Sequence, residues 1–428
     1  MALYKPQTGG RTMMDRRVFT TLLAGGVAAP LSPRLSLGEG AAGRTAFYSG
    51  VATELTLYDV DVDNAALSKH NSVMLPANIQ YAWEHPSKKY FYVVSSGGGP
   101  GVASDSNFAN AFRLDAATGA LAAHGEPRKL PHRPIHTSVD MAGEYLLTAY
   151  NDPSSLTVHR INADGTLGDE VKQPNPLDTG KYAHQIRATP DNRNVILITR
   201  GNNAPGDNPV NPGSIKTFGF DKGVLTNIAA IAPGDGTHFG PRHHDFHPSL
   251  PLVYVSIESQ NKLYVYRRDP VTVLSREPLF VKDTLSDLKS TARQGAGTIH
   301  MHPNGRTVYL TNRASTTVDY QGKKVFAGGE NSVAVFAIDQ ATGEPTLVQN
   351  IDAHGFTLRT FGLDPSGRLL VAASQDALAV RDGDTVKTVS AGLSVYRVGG
   401  DGKLAFVRKY DVDVGGKNQF WSGMVALA

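Results

Sequence analysis

One short pattern of residues recurs six times along this chain and leaves little freedom in the fold. Each copy opens on a tight turn: His85-Pro86-Ser87-Lys88, Met141-Ala142-Gly143-Glu144, Pro190-Asp191-Asn192-Arg193, His247-Pro248-Ser249, His302-Pro303-Asn304-Gly305 and Asp364-Pro365-Ser366-Gly367. An apolar, β-branched run follows each turn, at residues 90–94, 145–149, 195–199, 252–257, 307–311 and 369–373. After a loop comes another run (111–114, 156–161, 214–220, 262–267, 332–338, 393–398), then a second turn such as Ala117-Thr118-Gly119 or Gly400-Asp401-Gly402, then a fourth strand. Taken at positions 86, 141, 190, 248, 303 and 365, the first turns lie 55, 49, 58, 55 and 62 residues apart. Four strands per repeat of this length make a propeller blade. Six turns give six blades, and strands near 45–58 with the C-terminal run 420–427 supply a seventh. The expected fold is therefore all-β: a seven-bladed β-propeller with four antiparallel strands per blade. Pairing the two chain ends in one blade closes it and leaves no open sheet edge. The repeat period argues against a two-sheet sandwich, and no helical periodicity beyond a turn or two persists in the body.

The chain has 428 residues, too many for one ordinary domain unless the fold is a closed repeat array. Cysteine is absent, which excludes disulfides, thiolate metal sites and cysteine nucleophiles. Residues 1–42 differ from the rest. Arg16-Arg17, a Phe at position 19 and the short apolar stretch 22–29, broken by Pro30 and Pro33, have the form of a twin-arginine export signal. The apolar run is too short for a permanent membrane span. We therefore read 1–42 as leader and linker, with Met14 a candidate start, and 43–428 as the propeller. The expected location is periplasmic or secreted, with the twin-arginine translocation machinery as the precursor's partner and a monomer as the mature state. The leader holds Lys5, Arg11, Arg16, Arg17 and Arg34 against Asp15 and Glu39, so the body is left with 37 basic and 37 acidic residues. A neutral body gives a nucleic-acid partner no electrostatic support.

In a blade, strand A runs outward along the channel from one face, and strand B returns to that face. The long insertions 97–107, 201–212, 314–331 and 376–391 all follow strand B, where a rigid scaffold tolerates variable length. Six residues before each anchor, at the mouth of strand A, stand Gln80, Ile135, His184, Arg242, Gly297 and Arg359, with His136 one place out of register. Ten residues after it, at the end of strand B, stand Ser96, Asn151, Arg200, Glu258, Arg313 and Gln375. Both sets are expected to converge on one rim. Arginines there suit the binding of a carboxylate or phosphate and of a developing oxyanion, and Glu258 or His184 can take a proton. The two rims together gather Arg200, Arg242, Arg313, Arg359, Glu258 and one or two histidines, His184 and His136, at the candidate site, with Gln375, Asn151 and His244 as further candidates for substrate binding.

The run Arg242-His243-His244-Asp245-Phe246-His247 is rich in ligand-type residues. Strict strand alternation sends Arg242, His244 and Phe246 to one face, and His243 and Asp245 to the other. No metal-ligand spacing accompanies it, so no metal and no cofactor are expected. His247 and His302, beside prolines in the A–B turns, are read as turn histidines that hydrogen-bond backbone on the opposite face.

These residues resemble the propeller lactonase family, which includes bacterial 6-phosphogluconolactonases and the fungal carboxy-cis,cis-muconate cyclase. The matching segments are 240–248 with 254–258, 299–305 with 309–313, 358–361 with 364–367, and the closing strand 420–425. The resemblance spans about residues 45–428. It implies a seven-bladed fold, no metal requirement, and His184, Arg242, Glu258 and Arg313 as the catalytic set. Three functions follow as expectations. The first is an exported lactonase opening a sugar-acid or related lactone. The second is a lactonising cycloisomerase of the muconate type, using the same residues without net water. The third is a binding platform with no enzymatic activity, which would have no use for a matched set of acid, base and arginines.

Overall fold

In the computed structural model, residues 44–99, 102–202 and 210–427 are described. The export leader expected over 1–42 lies outside them. Seven sheets of four or five antiparallel strands follow one another, as the repeat requires. We number the blades along the chain by their innermost strands: Asn78–Glu84, Pro134–Val139, Ala183–Ala188, Pro241–Phe246, Gln294–Met301, Phe356–Leu363 and, in blade 7, Gln419–Ala426. Each inner strand packs on the next, and Gln419–Ala426 returns to Asn78–Glu84, so the ring closes around a central channel.

Closure uses both chain ends. The last strand lies innermost in blade 7 and pairs with Thr45–Val51, with Thr45 opposite Ala426 and Ser49 opposite Ser422. Glu54–Asp61 and Ala66–Met74 complete that sheet. Strands B are covered on both faces by neighbouring blades, which is why Leu252–Ile257 is buried throughout and reads as a continuous apolar run.

Side-chain latches repeat between blades. On strand B, Tyr92, Tyr254 and Tyr309 donate to the carbonyls of Gly165, Gly343 and Gly402 in the C–D turn of the next blade, at 2.9, 2.7 and 2.8 Å. Tyr48 reaches Gly119 in the same way. On the A–B face, the rings of His85, His247 and His302 reach the carbonyls of Gly143, Gly305 and Gly367 at 2.9–3.0 Å. Those turn histidines therefore hold backbone, as their place beside proline suggested. Gly305 adopts φ 70°, and a Cβ there would stand 2.7 Å from the His247 ring, so glycine is required twice over.

Two of the long insertions are not plain loops. Residues 314–331 contain the hairpin Thr317–Tyr320/Lys323–Phe326, and 376–391 contain Leu378–Asp382/Thr385–Val389. The two hairpins pack together, with the Arg381 guanidinium 4.6 Å from the Tyr320 ring centre.

Candidate active site

The A–B ladder of each blade is interrupted once near the channel mouth. The register skips Gln80, Ile135, His184, Arg242, Gly297 with Thr298, Arg359 and, in blade 7, Phe420. Six of these are the positions found by counting back from the turns. A bulged residue is unpaired and locally re-aims the strand, so its side chain and the next need not alternate. Here the bulged Arg242, Arg359 and Phe420 build a layer at the mouth, while the bulged His184 joins Tyr81, His136 and His243, each one place beyond a bulge, in a second layer beneath it.

In the mouth layer, Glu258 opens a short 3-10 turn immediately after Leu252–Ile257. Three guanidiniums surround its carboxylate: Arg313 Nη2 at 2.8 Å from Oε1, Arg200 Nη1 at 3.4 Å from Oε1, and Arg242 Nε at 3.2 Å from Oε2. The Arg242 side chain is 1% exposed and that of Glu258 18%. Burial works against ionisation of Glu258, but Arg313, Arg200, Arg242 and Arg359 outweigh it and hold the carboxyl down at about 2. Arg242 also reaches the Thr298 hydroxyl (3.4 Å), which donates to the Arg359 carbonyl (2.6 Å). Arg359 lies over the Phe420 ring at 3.7 Å, and Arg133 approaches the same ring at 5.6 Å. Four arginines thus act on one carboxylate, with Arg133 at the edge of the cluster.

The layer beneath is a cluster of rings. His243 lies 5.1 Å from His184 and 5.9 Å from His136, and Tyr81 lies 4.0 Å from His136. Burial, reinforced by Arg242 and its neighbours, lowers His184 and His243 well below the ordinary imidazole value, so both are neutral at pH 7. Burial with Arg187 does the same to His136. Above both layers opens a cavity of about 1030 Å³. Arg200, Arg293, Arg313 and Glu258 line it, together with hydroxyls of Ser259 and Thr357.

Of the residues singled out in the sequence, the structure brings Arg200, Arg242, Glu258, Arg313 and Arg359 together, with His184 and His136 below. Three others stand apart. His244 does not share the face of Arg242. The bulge between Pro241 and His243 breaks the alternation, so His243 joins the ring cluster, while His244 packs edge-on against Phe246 at 5.1 Å. Asn151 donates to the Ala183 carbonyl (3.4 Å) and Gln375 sits beside Asn418; neither contacts the Glu258 cluster. Three residues escaped the sequence reading. His243 was hidden by assumed alternation, and Arg133 precedes its strand. Phe420 lies in the blade where the chain ends, so no A–B turn exists from which to count. Among the described residues, no group of three or more His, Cys, Asp or Glu side chains is placed to hold a metal ion.

Residues 44–383 match the family described as lactonase, 7-bladed beta-propeller. The chain belongs to that family. The 6-phosphogluconolactonase of Bacillus subtilis (strain 168) is 26% identical over 328 residues, 74% of this chain and 83% of that protein. The 6-phosphogluconolactonase of Pectobacterium carotovorum is 26% identical over 368 residues, 83% of this chain and 91% of that protein. Among solved structures, a periplasmic gluconolactonase of Pseudomonas aeruginosa superposes with a TM-score of 0.69 at 19% identity, covering 90% of this chain and all of that one. The lactonase class expected from the sequence is the class of the matched family, and the ring of seven blades is its fold.

Proposed function

We propose that this lactonase-family propeller is an exported enzyme that hydrolyses a sugar-acid or related lactone, with Arg200, Arg242, Glu258, Arg313 and His184 as its working set. The observation that carries the reading is Glu258, ionised among three arginines on the wall of an open cavity. A lactone carbonyl placed against Arg200 and Arg313 on the cavity wall acquires negative charge on its oxygen as water attacks, and these guanidiniums, with the charge of buried Arg242 added, stabilise it. Glu258 is the basic group open to the cavity. Held by its arginines alone, it has too low a proton affinity for an effective base. An anionic or strongly polar substrate that draws on the same arginines weakens their hold, and the carboxylate becomes more basic as the substrate binds. Glu258 then takes the proton of the attacking water, the ring C–O bond breaks, and that proton passes to the departing ring oxygen. To neutral His184, at the bulge of the neighbouring blade, we assign a supporting part in this transfer. Ionisation of the hydroxy-acid product releases one proton to solvent.

Two further features support export: the Arg16-Arg17 leader, and the periplasmic setting named for the structurally similar Pseudomonas protein. A panel of aldonolactones and phosphorylated lactones, assayed by proton release on the mature chain, tests the chemistry. We expect turnover of at least one anionic or polyhydroxylated lactone. Acid production from none of them, with turnover of an unsaturated diacid instead, overturns hydrolysis. Changing Arg16 and Arg17 to lysine is expected to hold the precursor in the cytoplasm, as read by fractionation.

A further inference from the structure

The opposite end of the channel opens into a second cavity, of about 600 Å³, that the lactone chemistry leaves unused. Its walls include six aromatic rings: Tyr81, Trp83, Phe91, Phe246, Phe361 and Trp421. Four acidic side chains line it (Glu84, Asp140, Asp245, Asp364) against two basic ones, Lys88 and Arg187. The first cavity has the reverse balance, with Arg200, Arg293 and Arg313 against Glu258. The channel therefore ends in mouths of opposite sign.

Most polar groups at this second mouth are consumed by the fold. Asp140 accepts from the backbone of Ala142, Glu144 and Tyr145 and from the Asn192 side chain. Asp364 holds Ser366 and the Leu369 amide. Asp245 binds Arg187 at 2.7 Å and the amides of Phe246 and Met301, with the His300 ring 3.9 Å away. Arg187, neutralised in this way, lies over Trp83 at 5.3 Å and Phe246 at 5.2 Å. Glu84 is different. Its Oε1 is buried without a hydrogen-bond partner. Burial pushes its carboxyl up to about 7, against the pull of Lys88. A carboxyl left in this condition gains from a cation that supplies the missing partner and restores the ionised form. Aromatic faces around it favour the same kind of ligand, because the ring quadrupole attracts positive charge.

We propose that this mouth is a binding site for a compact organic ammonium ion with an apolar or aromatic body, its charge at Glu84 and its body among Tyr81, Trp83, Phe91 and Trp421. Lys88, in the A–B turn of the same blade, is the site's internal competitor. An anion finds the charge balance against it, and a neutral ring gains nothing from Glu84.

The protein carries its own probe. Trp83 and Trp421 are the only two tryptophans in the sequence, and both line this cavity. Titrating the protein with benzylammonium chloride at pH 8, where the ammonium keeps its N–H donors, should change tryptophan fluorescence saturably, whereas benzyl alcohol and benzoate should not. Glu84→Gln keeps the side chain's shape and removes its charge; it should weaken binding by about tenfold or more. Lys88→Ala should tighten binding, which keeps the test decisive if the first variant fails to fold by near-ultraviolet circular dichroism. No saturable change, an equal response to benzyl alcohol, or undiminished binding by folded Glu84→Gln overturns the proposal. Lactone turnover should be unchanged in Glu84→Gln, so this outcome is read independently of the lactonase chemistry.

Discussion

In the function proposed, the ion cluster of Glu258 and Arg242 serves both structure and chemistry. Arg242 is a fully buried guanidinium whose charge is balanced chiefly by Glu258, and removing one partner of such a pair strands the other. Arg242→Ala should therefore lower both substrate affinity and turnover, and it should also lower the thermal midpoint. Parallel measurement of kcat, KM and Tm checks this: a variant with normal stability and altered KM alone would place Arg242 at the periphery. This cluster was legible in the sequence because each residue stands at a fixed count from a recognisable turn. The count works without coordinates, since strand A and strand B pair across that turn and their far ends must meet. His244 and His243 mark where it fails. Alternation is a property of regular strands, and one bulged residue exchanged their roles.

Among elements, the A–B hairpin carries the division of labour. Its bulged end supplies the layer of the candidate site, and its turn end locks onto the next blade through histidine and glycine. The turn histidine is thus structural. His247→Ala should leave lactone turnover near wild type and reduce stability by about 1 kcal/mol, the usual worth of a lost hydrogen bond. Gly305→Ala should cost more, about 1–3 kcal/mol, because it imposes strain at positive φ and pushes a Cβ into the His247 ring. Chemical denaturation of both variants beside turnover assays checks the ranking, and a dead but stable His247→Ala would invert the face assignment. The hairpins within 314–331 and 376–391 were not legible as strands. Apart from Val325 their residues are exposed or only partly buried, and they pack on each other and, through Phe326, on Phe356 of blade 6.

For the molecule as a whole, closure and acid sensitivity follow from the same ring. The two chain ends had to pair because an open propeller exposes two blade faces and an unpaired inner edge; that much was readable from six turns and two orphan strand segments. The channel's ionisation was not readable, since it depends on burial. His136, His184 and His243 have folded values below the ordinary 6.5, so the unfolded chain binds more protons as pH falls through that value. Glu258, ordinarily near 4.5 and here about 2, contributes stability that is full above 4.5 and lost as pH falls toward 2. Calorimetry should show a thermal midpoint that is level above pH 7, declines below 6.5 and falls more steeply below 4.5. Steady-state proton release from the best lactone substrate, compared between wild type and Glu258→Gln, tests whether the arginine-bound carboxylate at the channel mouth opens lactones. We expect a loss in kcat of about 10²–10⁴-fold, with substrate or product binding retained or strengthened, because the variant removes proton transfer and leaves the arginines unopposed. Wild-type kcat in a folded Glu258→Gln protein would contradict it.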